Sequence, residues 1–375
     1  MKNKIVAVFS AFILSLFSIT SFVCEADVAQ RDPNKDGYLD MSDATYIESS
    51  LLGTISSTEE LPLDLTQLDV DENGLVSFKD SLSVQAHLLQ LITLPNKLPN
   101  EVIESQVMNS VTYVKHDCTN PYISDTEYTL TPTSIIYNNQ PPELQRWGTN
   151  YDLDNDAAVV RITSPNGSPH IGSGALISNN TIATAAHCVY NANTHNFVDF
   201  KVQIVSGYNN VLITFQPKYV HVPKNFITAT TDYERALNDY ALIYFDTYVS
   251  VPEKFDIGLA LNPYISGQGG VYISGFPDST NNEESNNNDM YSRYKSYGNL
   301  IINNNAYILN ASACASGGDS GGPIYAVENI TIGGTTYTYK TLIGICTSIG
   351  TDFSAGIRIR ENQIRFYRAN PNIGN

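Results

Sequence analysis

A serine at the centre of a glycine-rich heptapeptide constrains the fold of this chain more than any other feature. Residues Gly317–Pro323 read Gly-Gly-Asp-Ser-Gly-Gly-Pro. Glycine permits sharp turns, and Gly318 can direct a backbone N–H toward the space beside the Ser320 hydroxyl, where an oxyanion could bind. A glycine-rich surface turn is the alternative, but four glycines around Asp-Ser favour a serine nucleophile.

A serine nucleophile needs a histidine base and a carboxylate that orients the histidine, because serine reacts weakly at neutral pH. Residues 184–188 read Thr-Ala-Ala-His-Cys and place His187 at the end of an apolar segment. Asp239 directly precedes an apolar run, which favours it over the nearby Asp232 and Asp246. A lone histidine is more often structural, and Asp before a strand is a common turn residue. The sequence context favours catalysis at both positions.

The chain order His187, Asp239, Ser320 is that of chymotrypsin, whereas subtilisin and the α/β-hydrolases use other orders. Residues 135–375 resemble the trypsin/chymotrypsin superfamily, and within it the bacterial branch that includes glutamyl endopeptidases. Besides the serine motif, the resemblance rests on Ser173–Ser178, Thr184–Cys188, Gly275–Pro277 and Gly344–Thr347. It implies an all-β catalytic domain of two antiparallel six-stranded barrels of chymotrypsin type.

The resemblance also implies acyl transfer. The Ser320 hydroxyl would attack a peptide carbonyl while His187 accepts the proton and later returns it to the leaving amine. Asp239 would fix the histidine tautomer, and the N–H groups of Gly318 and Ser320 would form the oxyanion hole. This interpretation predicts a serine endopeptidase. A non-catalytic binding protein on the same fold is the alternative.

The expected specificity pocket carries no charge. Cys314 lies six residues before Ser320, where trypsin-like relatives carry an aspartate. Cys346 stands where the glutamyl branch usually carries a histidine. A pocket lined by Cys314, Ala315, Cys346 and Thr347 indicates a small or apolar side chain at the cleavage site.

Asp319 raises the question of activation by proteolysis. In trypsin-like zymogens the acid before the nucleophile pairs with a newly cut N-terminus. Ile135 is a candidate mature start, so we predict cleavage near this residue. The preceding segment, 96–134, has weak periodicity and is interpreted as a linker or propeptide.

The first 26 residues are typical of an export signal, with two early lysines, an apolar stretch from Ile5 to Val23 and a cleavage site after Ala26. They predict a secreted, extracellular protein. A retained membrane anchor and a lipid-modified Cys24 are the alternatives.

An even number of cysteines follows the signal, as expected in an oxidising compartment: Cys118, Cys188, Cys314 and Cys346. By the resemblance, Cys314 and Cys346 both lie at the specificity pocket, which predicts a bridge between them. Cys118 and Cys188 would form the second bridge. Four cysteines allow three connectivities, and free thiols are the alternative.

Residues 27–95 contain two copies of a calcium-loop pattern, with oxygen ligands at positions 1, 3, 5, 7, 9 and 12. The first copy has Asp32, Asn34, Asp36, Tyr38, Asp40 and Asp43, and the second has Asp69, Asp71, Asn73, Leu75, Ser77 and Asp80. Tyr38 and Leu75 would contribute backbone oxygens. One such segment could be an acidic surface turn, whereas two in register predict two Ca²⁺ sites.

Each loop ends with Asp instead of the Glu of an EF-hand, and the sequence shows no helix before either loop. A helix with one apolar stripe is expected after each, formed by Ile47, Leu51 and Leu52 and by Val84, Leu88 and Leu89. These features resemble dockerin, a small α-helical module. The resemblance implies binding to the cohesin module of a cellulosome-type scaffold, through Met41-Ser42 and Phe78-Lys79.

The net negative charge of the chain indicates which classes of binding partner are not expected. The 375-residue chain has 38 acidic and 21 basic residues, a formal net charge of −17. Such a surface repels phosphate backbones and anionic headgroups, so we expect neither nucleic acid nor a membrane as a partner. No cofactor is expected for catalysis itself.

Overall fold

The computed structural model describes most of the chain from residue 32 to residue 368. The described residues are 24–25, 32–36, 38–55, 63–89, 91–95, 105–106, 109–120, 122–131, 158–166, 170–206, 210–246, 249, 254–277, 293–302, 305–313, 315–332, 334–349 and 353–368. The export signal apart from Cys24–Glu25, the candidate mature start at Ile135 and the pocket residue Cys314 lie outside them.

The N-terminal module, residues 32–95, is built from short elements around two helices. Its elements and flanking strands are β1 (Cys24–Glu25), β2 (Tyr38–Leu39), α1 (Met41–Leu51), β3 (Leu63–Asp64), α2 (Leu65–Leu68), β4 (Leu75–Val76), α3 (Phe78–Leu88) and β5 (Ser105–Gln106). The short helix α2 precedes the second loop, where the sequence indicated no helix.

The two long helices begin with the same capping box. Asp40 caps α1 and Ser77 caps α3, and an aspartate three residues later bonds back to each cap. The helices pack through buried Ile47, Leu51 and Val84, whereas Leu89 is exposed. Glu48 also accepts a hydrogen bond from Ser81, at 2.6 Å.

A nine-stranded antiparallel sheet occupies the middle of the chain. This region contains β6 (Val111–Asp117), β7 (Thr126–Leu130), β8 (Val159–Thr163), β9 (His170–Ser178), β10 (Thr181–Thr184), β11 (Tyr190–Asn191), β12 (Asn196–Phe197), β13 (Lys201–Ser206), β14 (Asn210–Phe215), β15 (Tyr219–Pro223), α4 (Lys224–Thr228), α5 (Asp232–Ala236) and β16 (Ala241–Tyr244). The strand order is β14-β13-β8-β9-β10-β16-β15-β6-β7. The described strands of this sheet run as an open series, not the closed six-stranded barrel expected.

The segment expected to be a linker or propeptide contributes the hairpin β6–β7 to this sheet. Strand β6 pairs with β15, from Tyr219 opposite Asp117 to Pro223 opposite Tyr113. In β7, buried Tyr128 and Leu130 alternate with exposed neighbours, as in a strand with one face on the core. Residues 111–130 are therefore part of the sheet that carries β10 and β16, which corrects their assignment as linker.

The last third of the chain forms a closed six-stranded barrel. Its elements are β17 (Asp256–Ile257), β18 (Leu259–Ala260), α6 (Asn262–Ser266), β19 (Gly270–Gly275), β20 (Tyr294–Ile301), β21 (Ile308–Ala311), β22 (Pro323–Ile332), β23 (Thr335–Ile349), β24 (Ser354–Arg358) and α7 (Glu361–Arg368). Strands β19 to β24 form the ring, which closes through the pairing of β23 with β24, and β17 joins β23 in parallel.

Two apolar clusters support these layers. The larger one runs from the helices of the N-terminal module through the nine-stranded sheet, and includes Leu51, Val84 and Ile243. The smaller one fills the closed barrel and includes Leu75 of the module beside Ile343. Because the module contributes to both clusters, it packs on the rest of the chain.

Candidate active site

Two neighbouring strands bring His187 and Asp239 together. His187 lies in the single 3₁₀ turn Ala186–Cys188 that follows β10, and Asp239 lies just before β16. Strands β10 and β16 pair antiparallel with Thr184 opposite Ala241. The segment that follows β10 and the segment that precedes β16 therefore lie side by side, which brings His187 close to Asp239. His187 Nδ1 is 2.7 Å from Asp239 Oδ2, and the His187 backbone N–H donates to Asp239 Oδ1 at 2.9 Å.

The buried carboxylate changes the protonation of the histidine. Burial of the His187 ring lowers its pKa, but its electrostatic interactions with Cys188 and Asp239 and the hydrogen bond with Asp239 outweigh that effect. The pKa of His187 therefore lies well above its usual value. An imidazolium is stabilised at this position, as a general base requires after it has accepted a proton.

Ser320 lies in the turn between β21 and β22, held from both sides. Gly318 has φ +93°, which a residue with a side chain rarely adopts, and it sets the course of this turn. Gly321 N–H donates to the Cys346 carbonyl at 2.7 Å. The Ser320 carbonyl accepts a hydrogen bond from the thiol of Cys188, the residue after His187, at 3.4 Å. The serine, the histidine and the aspartate thus belong to one local site.

Ser173 on β9 is the residue of this site that the sequence analysis missed. Its N–H donates to the Ser320 carbonyl at 2.7 Å, and its hydroxyl donates to the Gly318 carbonyl at 2.8 Å. The same hydroxyl accepts the N–H of Phe276 at 2.9 Å. Fully buried Ser173 therefore joins the sheet of the histidine to the turn of the serine. No sequence spacing indicates contacts across more than 100 residues.

Comparison with known proteins identifies the family. The trypsin family profile matches residues 145–355, more than half of the chain. The chain belongs to the trypsin family. A solved structure of a Glu endopeptidase in complex with MPD aligns at 17% identity and a TM-score of 0.43, covering 54% of this chain and 85% of that one. Among curated proteins no match was found. The mostly β fold of this trypsin-family chain is that of a serine peptidase, which hydrolyses proteins or peptides.

One residue expected to line the specificity pocket, Cys346, lies in the core of this peptidase fold. The Cys346 side chain is buried in the closed barrel, and its burial raises the pKa of the thiol, so the sulfur is neutral. Ala315 and Thr347 are half-buried. Cys346 is therefore a packing residue of the closed barrel, and its backbone N–H donates to the Gly322 carbonyl at 2.9 Å.

The predicted disulfides are not present among the described cysteines of the peptidase. Cys118, Cys188 and Cys346 are free thiols. A bridge from Cys188 to Cys118 does not form because the Cys188 sulfur faces Gly172 and the Ser320 carbonyl inside the core. Cys346 is free as well, and its expected partner Cys314 lies outside the described residues.

Asp319 is buried beside the nucleophile. Its Oδ2 accepts the N–H of Ser316 at 2.8 Å, which closes the turn before Ser320. Because Ile135 lies outside the described residues, the pairing of this acid with a new N-terminus stays a prediction.

The two candidate calcium loops share four hydrogen bonds, of 2.8 to 3.4 Å. In each, the side chains at positions 1 and 3 accept the N–H of position 5. The carboxylate at position 12, Asp43 or Asp80, accepts the N–H groups of positions 3 and 9. The two segments thus fold as equivalent loops, and the conserved geometry turns side-chain oxygens inward.

Carboxylates converge most closely in the second loop. One oxygen each of Asp69, Asp71 and Asp80 lie within 4.8 Å of one another. Burial and the charges of Asp71 and Asp69 raise the pKa of Asp80 well above its usual value. Burial likewise raises the pKa of Asp43 in the first loop to about 6. These hard oxygen ligands fit Ca²⁺, which would relieve the repulsion between them.

The described helices give no sign of a membrane span. None of them is both long and apolar enough to cross a bilayer.

Proposed function

We propose that the chain is a serine endopeptidase that hydrolyses peptide bonds through a covalent acyl-enzyme. The observation that carries the proposal is that both carboxylate oxygens of Asp239 bind His187, one at 2.7 Å from the ring Nδ1 and the other at 2.9 Å from the backbone nitrogen. The turn of Ser320 lies beside this pair and is bonded to Cys188. Membership of the trypsin family supports the same chemistry. A purely structural histidine would not need its ring and its backbone oriented by one carboxylate.

In the proposed mechanism His187 removes the hydroxyl proton of Ser320 as the oxygen attacks the substrate carbonyl. Asp239 holds the Nδ1 proton, so Nε2 is the basic nitrogen. The N–H groups of Gly318 and Ser320 bind the oxyanion, and the loss of one such donor would cost about 3 kcal/mol of transition-state stabilisation. The imidazolium then protonates the leaving amine, and water hydrolyses the acyl-enzyme by the reverse roles. Because the base must be neutral, we expect the rate to rise with pH through the raised pKa of His187.

Substitution of the nucleophile tests this proposal. We expect Ser320→Ala to lower casein hydrolysis by roughly three orders of magnitude or more, while the exposed control Ser266→Ala retains full activity. A fluorophosphonate probe should label the wild type once per chain and the Ser320→Ala variant not at all. Equal hydrolysis by both chains would support the alternative, a binding protein on a peptidase fold.

For cleavage preference we propose a small or apolar side chain at the scissile bond. The expected pocket residues Ala315 and Thr347 are uncharged and half-buried, and Cys346 is buried. The sequence blocks still favour the bacterial branch that includes glutamyl endopeptidases, but with an unusual specificity. Cleavage of a peptide library tests this, and a strong preference for Glu, Lys or Arg would contradict it.

We also propose that the chain is secreted and anchored by a dockerin-like module that holds two Ca²⁺ ions. The equivalent hydrogen bonds of the two loops and the carboxylates of Asp69, Asp71 and Asp80 support the calcium sites. Calcium would supply charge neutralisation, which fixes the loops and the helices that follow them.

The anchoring proposal is tested with a purified cohesin module. We expect binding in calcium and its loss in chelator, with unchanged binding by the Ser320→Ala chain. N-terminal sequencing of the secreted form tests the cleavage sites after Ala26 and near Ile135.

A further inference from the structure

The second repeat, residues 69–88, lies against the closed barrel, whereas the first repeat, residues 32–51, does not share these contacts. We propose that the second repeat is a fixed clamp on the catalytic domain, and that only the first repeat is open to a binding partner. The statement about the partner rests on the proposed docking function. The clamp itself rests on contacts within the chain.

Backbone hydrogen bonds join the second repeat to the barrel. Strand β4 of the repeat pairs antiparallel with β18, with Val76 opposite Leu259 and Leu75 opposite Ala260. The N–H of Leu261 donates to the Gly74 carbonyl at 2.8 Å. Buried Leu75 belongs to the apolar cluster inside the closed barrel. The loop thus adds a short strand to the barrel's surface, which fixes its register.

Glycines on both sides allow this close approach. Gly74 has φ +82°, and a side chain there would place its Cβ 2.7 Å from Tyr264 Cβ on α6. On the other side, a Cβ on Gly258 would lie 2.8 Å from the Val76 carbonyl oxygen. A larger residue at Gly74 would push the repeat from α6, and one at Gly258 would meet the Thr341 side chain of the barrel as well as Val76 of the repeat.

A buried glutamate of the barrel reaches the loop itself. Glu328 on β22 is 5% exposed, and its Oε1 accepts the side-chain N–H of Asn73 at 2.9 Å. Its other oxygen accepts the hydroxyl of Thr341. Asn73 is the position-5 residue of the loop, so Glu328 binds its amide nitrogen and turns its oxygen toward the Leu75 N–H and the loop interior.

The surface that a partner would use is buried in the second repeat. In the second repeat, Phe78 is 4% exposed, and the Lys79 side chain is 14% exposed and paired with Asp71 at 2.7 Å. At the equivalent positions of the first repeat, Met41 is half-buried and Ser42 is exposed. The candidate docking positions are therefore more exposed in the first repeat than in the second, although Arg365 of the catalytic domain donates a hydrogen bond to the Gly53 carbonyl just after the first repeat, at 3.1 Å.

Amine labelling of the full chain tests the clamp directly. Lys35 of the first repeat, 62% exposed, and Lys79 of the second serve as internal references. With an acetylating reagent and peptide mass spectrometry, we expect Lys35 to react at least tenfold faster than Lys79. In Gly258→Val, which pushes β18 from β4, Lys79 should become as reactive as Lys35. The exposed control Thr45→Val should leave both rates unchanged. Equal rates in the wild-type chain would overturn the clamp without any variant.

The partner statement has a separate test, with purified cohesin as the probe. We expect Ser42→Arg to weaken its binding at least tenfold, while Lys79→Gln, which adds no negative charge beside Asp71, leaves binding unchanged. The reverse pattern would overturn the assignment of the docking surface. If cohesin binds neither wild type nor variants, the docking function fails together with this assignment, whereas the labelling result still decides the clamp.

Discussion

The first and second repeats close their loops in the same way but lie in different surroundings. Both place a residue with positive φ at position 4, Lys35 at 61° and Glu72 at 58°, and both bury the position-12 carboxylate completely. Around Asp43, the bonded residues Asn34 and Asp40 are half-exposed. Around Asp80, Val70 and Ser77 are buried, and the barrel covers the loop. Water can replace lost contacts in the first loop and not in the second.

This difference shows that one local sequence pattern can serve two purposes in a single chain. The pattern of acids, glycine and capping residues determines the loop and the start of the helix. Residues far along the chain, Gly258 and Glu328, hold the second loop against the catalytic domain. A cation bound to the second loop would therefore stabilise the barrel as well as the loop.

The largest effect is expected from removal of calcium. With calcium a thousandfold above its dissociation constant, chelation should lower the free energy of unfolding by about 4 kcal/mol for each site. We expect the unfolding of the closed barrel to remain calcium-dependent in Asp32→Asn and to lose most of that dependence in Asp69→Asn. Calorimetry of the full chain with and without chelator measures both. If the unfolding temperature of the barrel in the wild type does not depend on calcium, calcium binding to the second loop does not stabilise the barrel.

Alanine substitutions of the two position-12 residues, Asp43 and Asp80, allow the stability of the two loops to be compared in the absence of calcium. In chelator, we expect Asp80→Ala to lower the free energy of unfolding by roughly 3 kcal/mol, because it leaves buried N–H groups of Val70 and Ser77 without an acceptor. Asp43→Ala should cost roughly 1 kcal/mol, since water can bond the N–H groups of half-exposed Asn34 and Asp40. Denaturant titration compares the two, and equal losses would show that the surroundings of the repeats do not matter.

The sequence allowed prediction of those parts whose information is local. The flanks of His187 and Asp239 selected the pair that the structure holds within 2.7 Å, because each lies at the end of a short apolar strand. The spacing of the acids likewise predicted the positions of both loops, because each loop is formed by residues that are close in the sequence. Gly318 was singled out for its backbone, and it has the positive φ that only glycine adopts readily.

Contacts between distant segments could not be predicted. The hairpin β6–β7 pairs with β15, about 100 residues later, and its alternation of buried and exposed residues is too short to indicate a partner strand. The even number of cysteines predicts a disulfide for Cys188, whereas the structure places its sulfur against Gly172. The contacts of Leu75 and Val76 with β18 and of Gly74 with Tyr264 join segments that no motif connects.

The smallest change in the free energy of unfolding is expected from substitution of the lysines of the two repeats. Lys79 and Asp71 form a close pair at 2.7 Å with both side chains at most 15% exposed, whereas Lys35 is 62% exposed and 3.4 Å from Asp64. Partly buried pairs with good geometry contribute more than surface pairs, which solvent screens. We expect Lys79→Met to cost about 1 kcal/mol of unfolding free energy and Lys35→Met about 0 kcal/mol, measured by thermal unfolding in calcium. If Lys35→Met costs as much as Lys79→Met, the second repeat is as open to water as the first, and the clamp would have to be abandoned.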